Sequence, residues 1–206
     1  MRIAILLLSL LMPLTCWASQ ANDKLLFDLK TKASEIRNIA SDFTQEKHLA
    51  IFDEVLVSQG HFAFEKPGSL RWEYTSPFRA GFLLKDGKGK EWDEATATTR
   101  DFSLNTSPAM SMVAKQIMAW TTFDIEWLKS RYKIRQLTAS PIALELKPRS
   151  EIAKEFLAHL VVSFTSDNRA ISSLELHEID GDFTKISFTT PALNSELAQE
   201  TFTTVQ

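Results

Sequence analysis

The sequence predicts an α+β chain, in which one helix precedes an antiparallel strand meander and a helical insert interrupts it. Three observations carry this prediction. Apolar residues recur at helical spacing over residues 23–40, and from Ser41 the period changes to two. Glycine-, proline- and aspartate-containing turns separate short alternating runs, as at Lys66-Pro67-Gly68-Ser69, Asp86-Gly87-Lys88-Gly89 and Asp180-Gly181-Asp182. Between two such blocks, Thr106-Ser107-Pro108 opens a second helical pattern, with Ser107 as cap and Pro108 in the first helical position. No repeat, low-complexity tract or proline- or glycine-rich linker divides the 206 residues, which fits one domain.

The chain starts with a positive Met1-Arg2, and residues 3–14 are apolar except for Ser9 and Pro13. Cys16-Trp17-Ala18 then sets small residues where a signal peptidase reads. We expect a leader over residues 1–18 and a single mature domain over residues 19–206. The apolar run is about a dozen residues, short for a membrane anchor. A competing reading makes Cys16 the lipidated cysteine of a bacterial lipoprotein, but Pro13-Leu14-Thr15 before it matches that pattern poorly. If this one cysteine leaves with the leader, the mature chain has no disulfide, no thiolate nucleophile and no cysteine ligand. The net charge of −3 comes without a basic block, so nucleic acid is not an expected partner.

In order, the first helix is expected over residues 23–40, with Leu25, Leu29, Ile36 and Ile39 on its apolar side and Asn22 or Asp23 capping it. Phe43, Gln45 and Lys47 then alternate along a strand. Leu56, Ser58, Gly60, Phe62 and Phe64 share one face of the next. Leu70, Trp72 and Tyr74 share a face of its hairpin partner, with Arg71 and Glu73 opposite. Pro77 ends that strand. Residues 82–85 form another, and short strands are expected around Trp92 and Asp101. The insert places Met110, Val113, Ile117 and Trp120 at helical spacing, and a shorter helix is expected over residues 124–129. Strands resume around Ile134, Leu144, Val162, Leu174 and Ile186, with a helical turn over residues 151–156.

Catalytic signals are sparse. His48, His61, His159 and His177 lie at no mutual metal-ligand spacing, no nucleophile elbow is present, and the carboxylates look scattered and solvated. We therefore expect no enzyme, no metal and no cofactor. The stronger signal is apolar. Phe62, Phe64, Leu70, Trp72 and Tyr74 come from one hairpin, Phe82 and Leu84 from the next strand, and Met110, Val113, Ile117 and Trp120 from the insert. These residues are either plain core or the wall of an apolar trough in a curved sheet. Methionine suits a surface that repacks around variable chains. Each buried CH₂ contributes about 0.8 kcal/mol, so a trough for acyl chains needs apolar area rather than polar contacts.

The stretch Gly60-His61-Phe62-Ala63-Phe64-Glu65-Lys66-Pro67-Gly68-Ser69-Leu70-Arg71-Trp72-Glu73-Tyr74, then Pro77, resembles the signature hairpin of the LolA family. Phe43-Thr44-Gln45 is similar to that family's first strand, and Leu83-Leu84-Lys85-Asp86-Gly87 to its third strand and turn. The resemblance implies an incomplete, half-open antiparallel β-barrel with an N-terminal helix and a helical lid. It also implies a monomeric periplasmic carrier with an acylated lipoprotein or lipid cargo. The cargo would come from an inner-membrane ABC-type extractor and pass to an outer-membrane receptor, with no cofactor and no bond change. By the same resemblance, Lys66 occupies the position of a lid-latching arginine, with Arg71 as a second candidate. Lysine lacks the planar fork of arginine. The chain ends soon after Pro191, leaving little room for the final hook of some members. The sequence readings therefore keep three roles open: a lipoprotein carrier, a carrier of another lipid or glycolipid beside a dedicated exporter, and a lipid-sensing regulator.

Overall fold

The computed structural model describes the backbone of residues 15–205 and the side chains of residues 23–205. Of the expected leader, residues 1–14 and Cys16's side chain lie outside the described residues.

α1 (Thr15–Ser34) leads into six consecutive strands, β1 (Asn38–His48), β2 (Val55–Glu65), β3 (Ser69–Ser76), β4 (Ala80–Lys85), β5 (Lys88–Asp93) and β6 (Thr98–Ser103). The insert is α2 (Pro108–Thr121) and α3 (Ile125–Arg131). Then come β7 (Tyr132–Ala139), β8 (Ile142–Pro148), the short α4 (Glu151–Lys154), β9 (Leu157–Phe164), β10 (Ile171–Glu178) and β11 (Phe183–Leu193). All strands join one antiparallel sheet in the order β6-β5-β4-β3-β2-β1-β11-β10-β9-β8-β7. Each meander pairs sequence neighbours, and the two meanders join where β11 lies beside β1. The sheet is not closed: β6 and β7 are its edges, and α2 and α3 connect them. This is an open α+β barrel.

The period-two pattern fixes which side chains face inward. Phe62, Trp72 and Phe82 lie opposite one another across β2, β3 and β4, and Phe43 opposes Phe188 across β1 and β11. Phe43 stacks at a tilt on Trp72 with ring centroids 4.6 Å apart and meets Tyr74 edge-on at 5.4 Å. Its cross-strand partner is Gly60. A Cβ there would fall 2.1 Å from the Glu73 carbonyl oxygen and 2.4 Å from the Phe43 ring. Glycine at that position is what lets the aromatic ring lie flat over the strand.

Two apolar clusters result. One gathers Leu26 and Leu29 of α1, Leu128 of α3 and Leu144, Leu146 and Leu160 of β8 and β9. The other gathers Ile36, Phe43, Phe64, Leu70, Leu84 and Ala114.

The first helix departs from its expected bounds. It ends at Ser34 rather than near Ala40, and Asp23 is inside it rather than its cap. Its buried positions are Leu26, Leu29 and Ala33; Ile36 and Ile39 are buried as well, but beyond its end. The reason is tertiary: from Asn38 the backbone pairs with Glu65 of β2, and Ile39 pairs with both Phe64 and Leu193. Two ladders satisfy more backbone groups than another helical turn would, and the β-branched side chain of Ile39 suits a strand. Asp23 instead accepts a 2.7 Å hydrogen bond from Lys129 of α3.

The convex face also differs from expectation. Glu73 is 3% and Arg71 5% exposed, so these charges are buried rather than solvated. Arg71 Nε donates to Glu73 Oε2 at 2.6 Å, and Nη1 donates to the carbonyls of Thr201 and Thr204 at 3.0 and 2.8 Å. The C-terminal residues past Pro191 fold back over the sheet here, with Phe202 buried and the Asn38 amide donating to the Ser195 carbonyl at 2.9 Å.

Further along that face, His159, His177, Phe183 and His48 stack across β9, β10, β11 and β1, with centroid spacings of 4.4, 5.4 and 4.0 Å. Partial burial, then the neighbouring His177, holds the His159 imidazole below its ordinary value of 6.5. The unfolded chain therefore takes up this proton first as pH falls. The ladder's stability is full above about pH 6.5 and is lost as pH falls through the folded value. We expect His159→Phe to flatten the fall in melting temperature between about pH 6.5 and 5, the range around the free imidazole value. A wild-type melting temperature constant across that range would contradict this.

Candidate functional site

Between the two apolar clusters the sheet wraps a cavity of about 520 Å³. That volume falls among small-molecule sites, which span roughly 300–1,000 Å³. Leu29 and Ala33 of α1 form one wall. Phe62, Trp72, Tyr74 and Phe82 come from the first meander, and Phe164, Leu174, Ile186 and Phe188 from the second. Met110, Val113, Ile117 and Trp120 of α2 complete it. Polar side chains are few: Ser41, Glu91, Gln116, Thr121, Asn168 and Arg169, with the Tyr74 hydroxyl donating to Gln45 Oε1 at 2.8 Å. Burial pushes the Tyr74 phenol above its ordinary value, so it stays a neutral donor.

Of the residues expected at the trough, Phe62, Trp72, Tyr74, Phe82, Met110, Val113, Ile117 and Trp120 lie on this wall. Phe64, Leu70 and Leu84 do not, which corrects that expectation. They share the wall residues' strand face but are only 0–1% exposed, because Ile36 and Ala114 pack over the hairpin end of the sheet. Strand alternation assigns a face; it cannot say where along a strand a helix seals it.

The second meander's contribution was missed. Ile186 and Phe188 sit two residues apart on β11, and Leu174 opposes Ile186 on β10. Only knowing that β11 lies beside β1 places them against Phe43, and the sequence contains no sign of that pairing.

α2 begins at Pro108 behind Ser107, as expected, although the Ser107 hydroxyl makes no capping bond. Asp124 caps α3 by accepting from Trp127 N at 3.1 Å. Buried positions of α2 are confined to Ala114, Ala119 and Trp120, while Met112 is 69% and Val113 41% exposed. The helix therefore meets the cavity through Met110, Val113, Ile117 and Trp120 while only three of its positions are buried.

Neither latch candidate touches α2 through its charge. Lys66 Nζ donates to the Ser34 carbonyl at 2.9 Å and to the Ala33 carbonyl at 3.3 Å, closing the C-terminal end of α1. Arg71 is on the convex face, holding Glu73 and the C-terminal segment. The same β2–β3 turn reaches α2 through Met118, whose methyl carbon lies 3.4 Å from where a Cβ on Gly68 would stand. Lys66→Ala should remove the two carbonyl contacts and lower stability by about 1 kcal/mol. The melting temperature of a domain this size should fall by roughly 2–4 °C, and Lys66→Arg should retain it. An unchanged melting temperature in Lys66→Ala would show that the contact is solvated away.

Among the described residues, no group of three or more His, Cys, Asp or Glu is placed to hold a metal ion. No helix among them is long and apolar enough to cross a membrane.

The sequence matches the family model for the outer membrane lipoprotein carrier protein LolA over residues 34–205. It is 26% identical to an outer-membrane lipoprotein carrier protein of Methylococcus capsulatus, covering 87% of this chain and 83% of that one. It is 24% identical to a like-named protein of Cupriavidus taiwanensis, covering 84% and 80%. Among solved structures, an uncharacterised conserved protein of Thermus thermophilus superposes with a TM-score of 0.56 at 8% identity, covering 90% of this chain and 94% of that one. A chain in the Pseudomonas aeruginosa MucA/MucB complex gives 0.51 at 12% identity, covering 89% and 61%. These structures share the fold. With the family model spanning the sheet, the insert and the C-terminal segment, the chain belongs to the LolA family.

Proposed function

We propose that this protein is a periplasmic carrier. It shelters the acyl chains of lipoproteins in the cavity and delivers them towards the outer membrane. The observation that carries this reading is the cavity itself, a wall of aromatic, aliphatic and methionine side chains shared by both meanders and α2. Such a wall gains affinity in proportion to buried CH₂ groups and demands little of headgroup chemistry. The relatives' names point to lipoprotein as the cargo. The leader expected over residues 1–18 would export the chain to the periplasm. An inner-membrane ABC-type extractor would load it, and an outer-membrane receptor would unload it. α2 serves as the lid, because it packs through a few buried positions and bridges the sheet's two edges. The carrier itself catalyses no bond change.

The test is release from membranes. Vesicles bearing a labelled lipoprotein and its extractor are incubated with the mature protein and ATP. A soluble one-to-one complex of lipoprotein with this chain supports the reading. Label that stays in the vesicle fraction at every protein concentration counts against it.

A further inference from the structure

One charged side chain on the cavity wall has no use in a purely apolar trough. Arg169 lies on the β9–β10 turn and lines the cavity with Phe164, Ile171, Leu29 and Pro191. Its Nε is shielded from solvent and has no hydrogen-bond partner. Asp167, two residues away in the same turn, accepts from Thr165 Oγ1 at 2.5 Å and from the Arg169 backbone N–H at 3.1 Å, both through Oδ1. The Thr165 bond first, with the charge of Arg169 among the lesser causes, holds the Asp167 carboxyl below its ordinary value. The other charged wall residue, Glu91, stands on β5 and pairs with Arg100 at 3.6 Å. The Nε edge of this half-buried guanidinium is turned away from water against an apolar wall, and what it lacks is an acceptor, which an anion with planar or tetrahedral oxygens would supply.

The turn is built to hold Arg169 in place. The Thr165 N–H donates to the Ala170 carbonyl at 2.9 Å, and the Asn168 N–H donates to the Thr165 carbonyl at 2.8 Å. Lys32 of α1 donates to the Asp167 carbonyl at 2.6 Å, tying the turn to the helix that forms the adjacent wall. The Asn168 side chain accepts from Ile142 N at 3.4 Å, and Asn168 itself sits at a φ of 57°, which asparagine tolerates.

We propose that the cavity also takes acyl lipids with an anionic head, a carboxylate or a phosphate, and that Arg169 is the partner of that anion. The chain lies along Phe164, Ile171 and Leu29, and the guanidinium donates to the head oxygens. This inference rests on the reading of the cavity as an acyl-chain site. It adds a headgroup preference that the neutral ester and amide linkages of a lipoprotein anchor do not satisfy.

The experiment measures displacement of a neutral fluorescent probe, N-phenyl-1-naphthylamine, from the full mature chain. The competitors are hexadecanoate, hexadecanol and inorganic phosphate, each tested on wild type, Arg169→Gln and Arg169→Lys. Hydrogen bonds to a charged partner predict that hexadecanoate displaces the probe at a concentration about tenfold or more below that of hexadecanol. Arg169→Gln should erase that gap and leave hexadecanol unchanged, while Arg169→Lys should keep part of it. Phosphate alone should displace nothing. Equal potency of hexadecanoate and hexadecanol on wild type would overturn the headgroup proposal and leave the apolar site standing. A gap that persists in Arg169→Gln would overturn the role of Arg169. Phosphate acting alone would make this a free-anion site. Failure of the neutral probe to bind at all would overturn the acyl-chain reading and this proposal together.

Discussion

Replacing Ile117 with glutamate is expected to abolish acyl-ligand uptake while the sheet stays folded. Ile117 lies on the α2 side of the cavity, packed against the cluster of Phe43, Phe64 and Leu84. A carboxylate there must either lose its charge or leave the wall, and either route costs several kcal/mol against a bound acyl chain. That corresponds to a loss of affinity of at least about a hundredfold, since each 1.4 kcal/mol is a factor of ten. The fold should survive, because Ile117 is outside the strand ladders and α2 is anchored by Ala114, Ala119 and Trp120. Probe titration should show the loss, and circular dichroism should show retained strand content. Ile117→Val should bind within a few-fold of wild type. Unchanged uptake by Ile117→Glu would remove α2 from the role of lid.

The second large effect is on stability. Glu73→Gln leaves the Arg71 guanidinium buried without its counter-charge, beneath the C-terminal segment and beside Trp92, whose ring centroid lies 5.5 Å from Arg71 Cζ. Removing one partner of a buried pair costs about 3–5 kcal/mol. At roughly 2–4 °C per kcal/mol for a domain of this size, the melting temperature should fall by about 10 °C. Residues 194–205 should become more sensitive to protease, because Arg71 holds the carbonyls of Thr201 and Thr204. Removing both charges together, in Arg71→Met with Glu73→Leu, should recover most of the loss. Calorimetry decides this: a fall of less than a degree in Glu73→Gln would mean that water reaches the pair.

Most of the strand plan was legible in the sequence. The hairpin between Phe64 and Leu70, the turn at Asp86-Gly87 and the start of α2 at Pro108 follow from alternation, turn chemistry and capping, which act over a few residues. What failed to show was tertiary. Ile39 fits a helical stripe as well as a strand, and only pairing with β2 and β11 decides between them. Arg71 and Glu73 occupy the outward positions of β3, where alternation predicts solvent, and the chain's own last residues cover them. A third of the cavity wall comes from β9, β10, β11 and the turn between β9 and β10, which meet the first meander through a single long-range pairing. Arg169 gave no signal at all, since a charged residue in a turn is ordinarily solvated.

The central claim is that the cavity is filled by acyl chains in the cell. The direct measurement is mass spectrometry of lipids extracted from the protein purified gently from its native cells. The account predicts near-stoichiometric acylated material, lipoprotein or diacyl lipid, that is lost from Ile117→Glu. A protein that is well folded yet carries nothing apolar would mean that the aromatic and methionine side chains are plain core, and the lipid-sensing regulator reading would take the carrier's place.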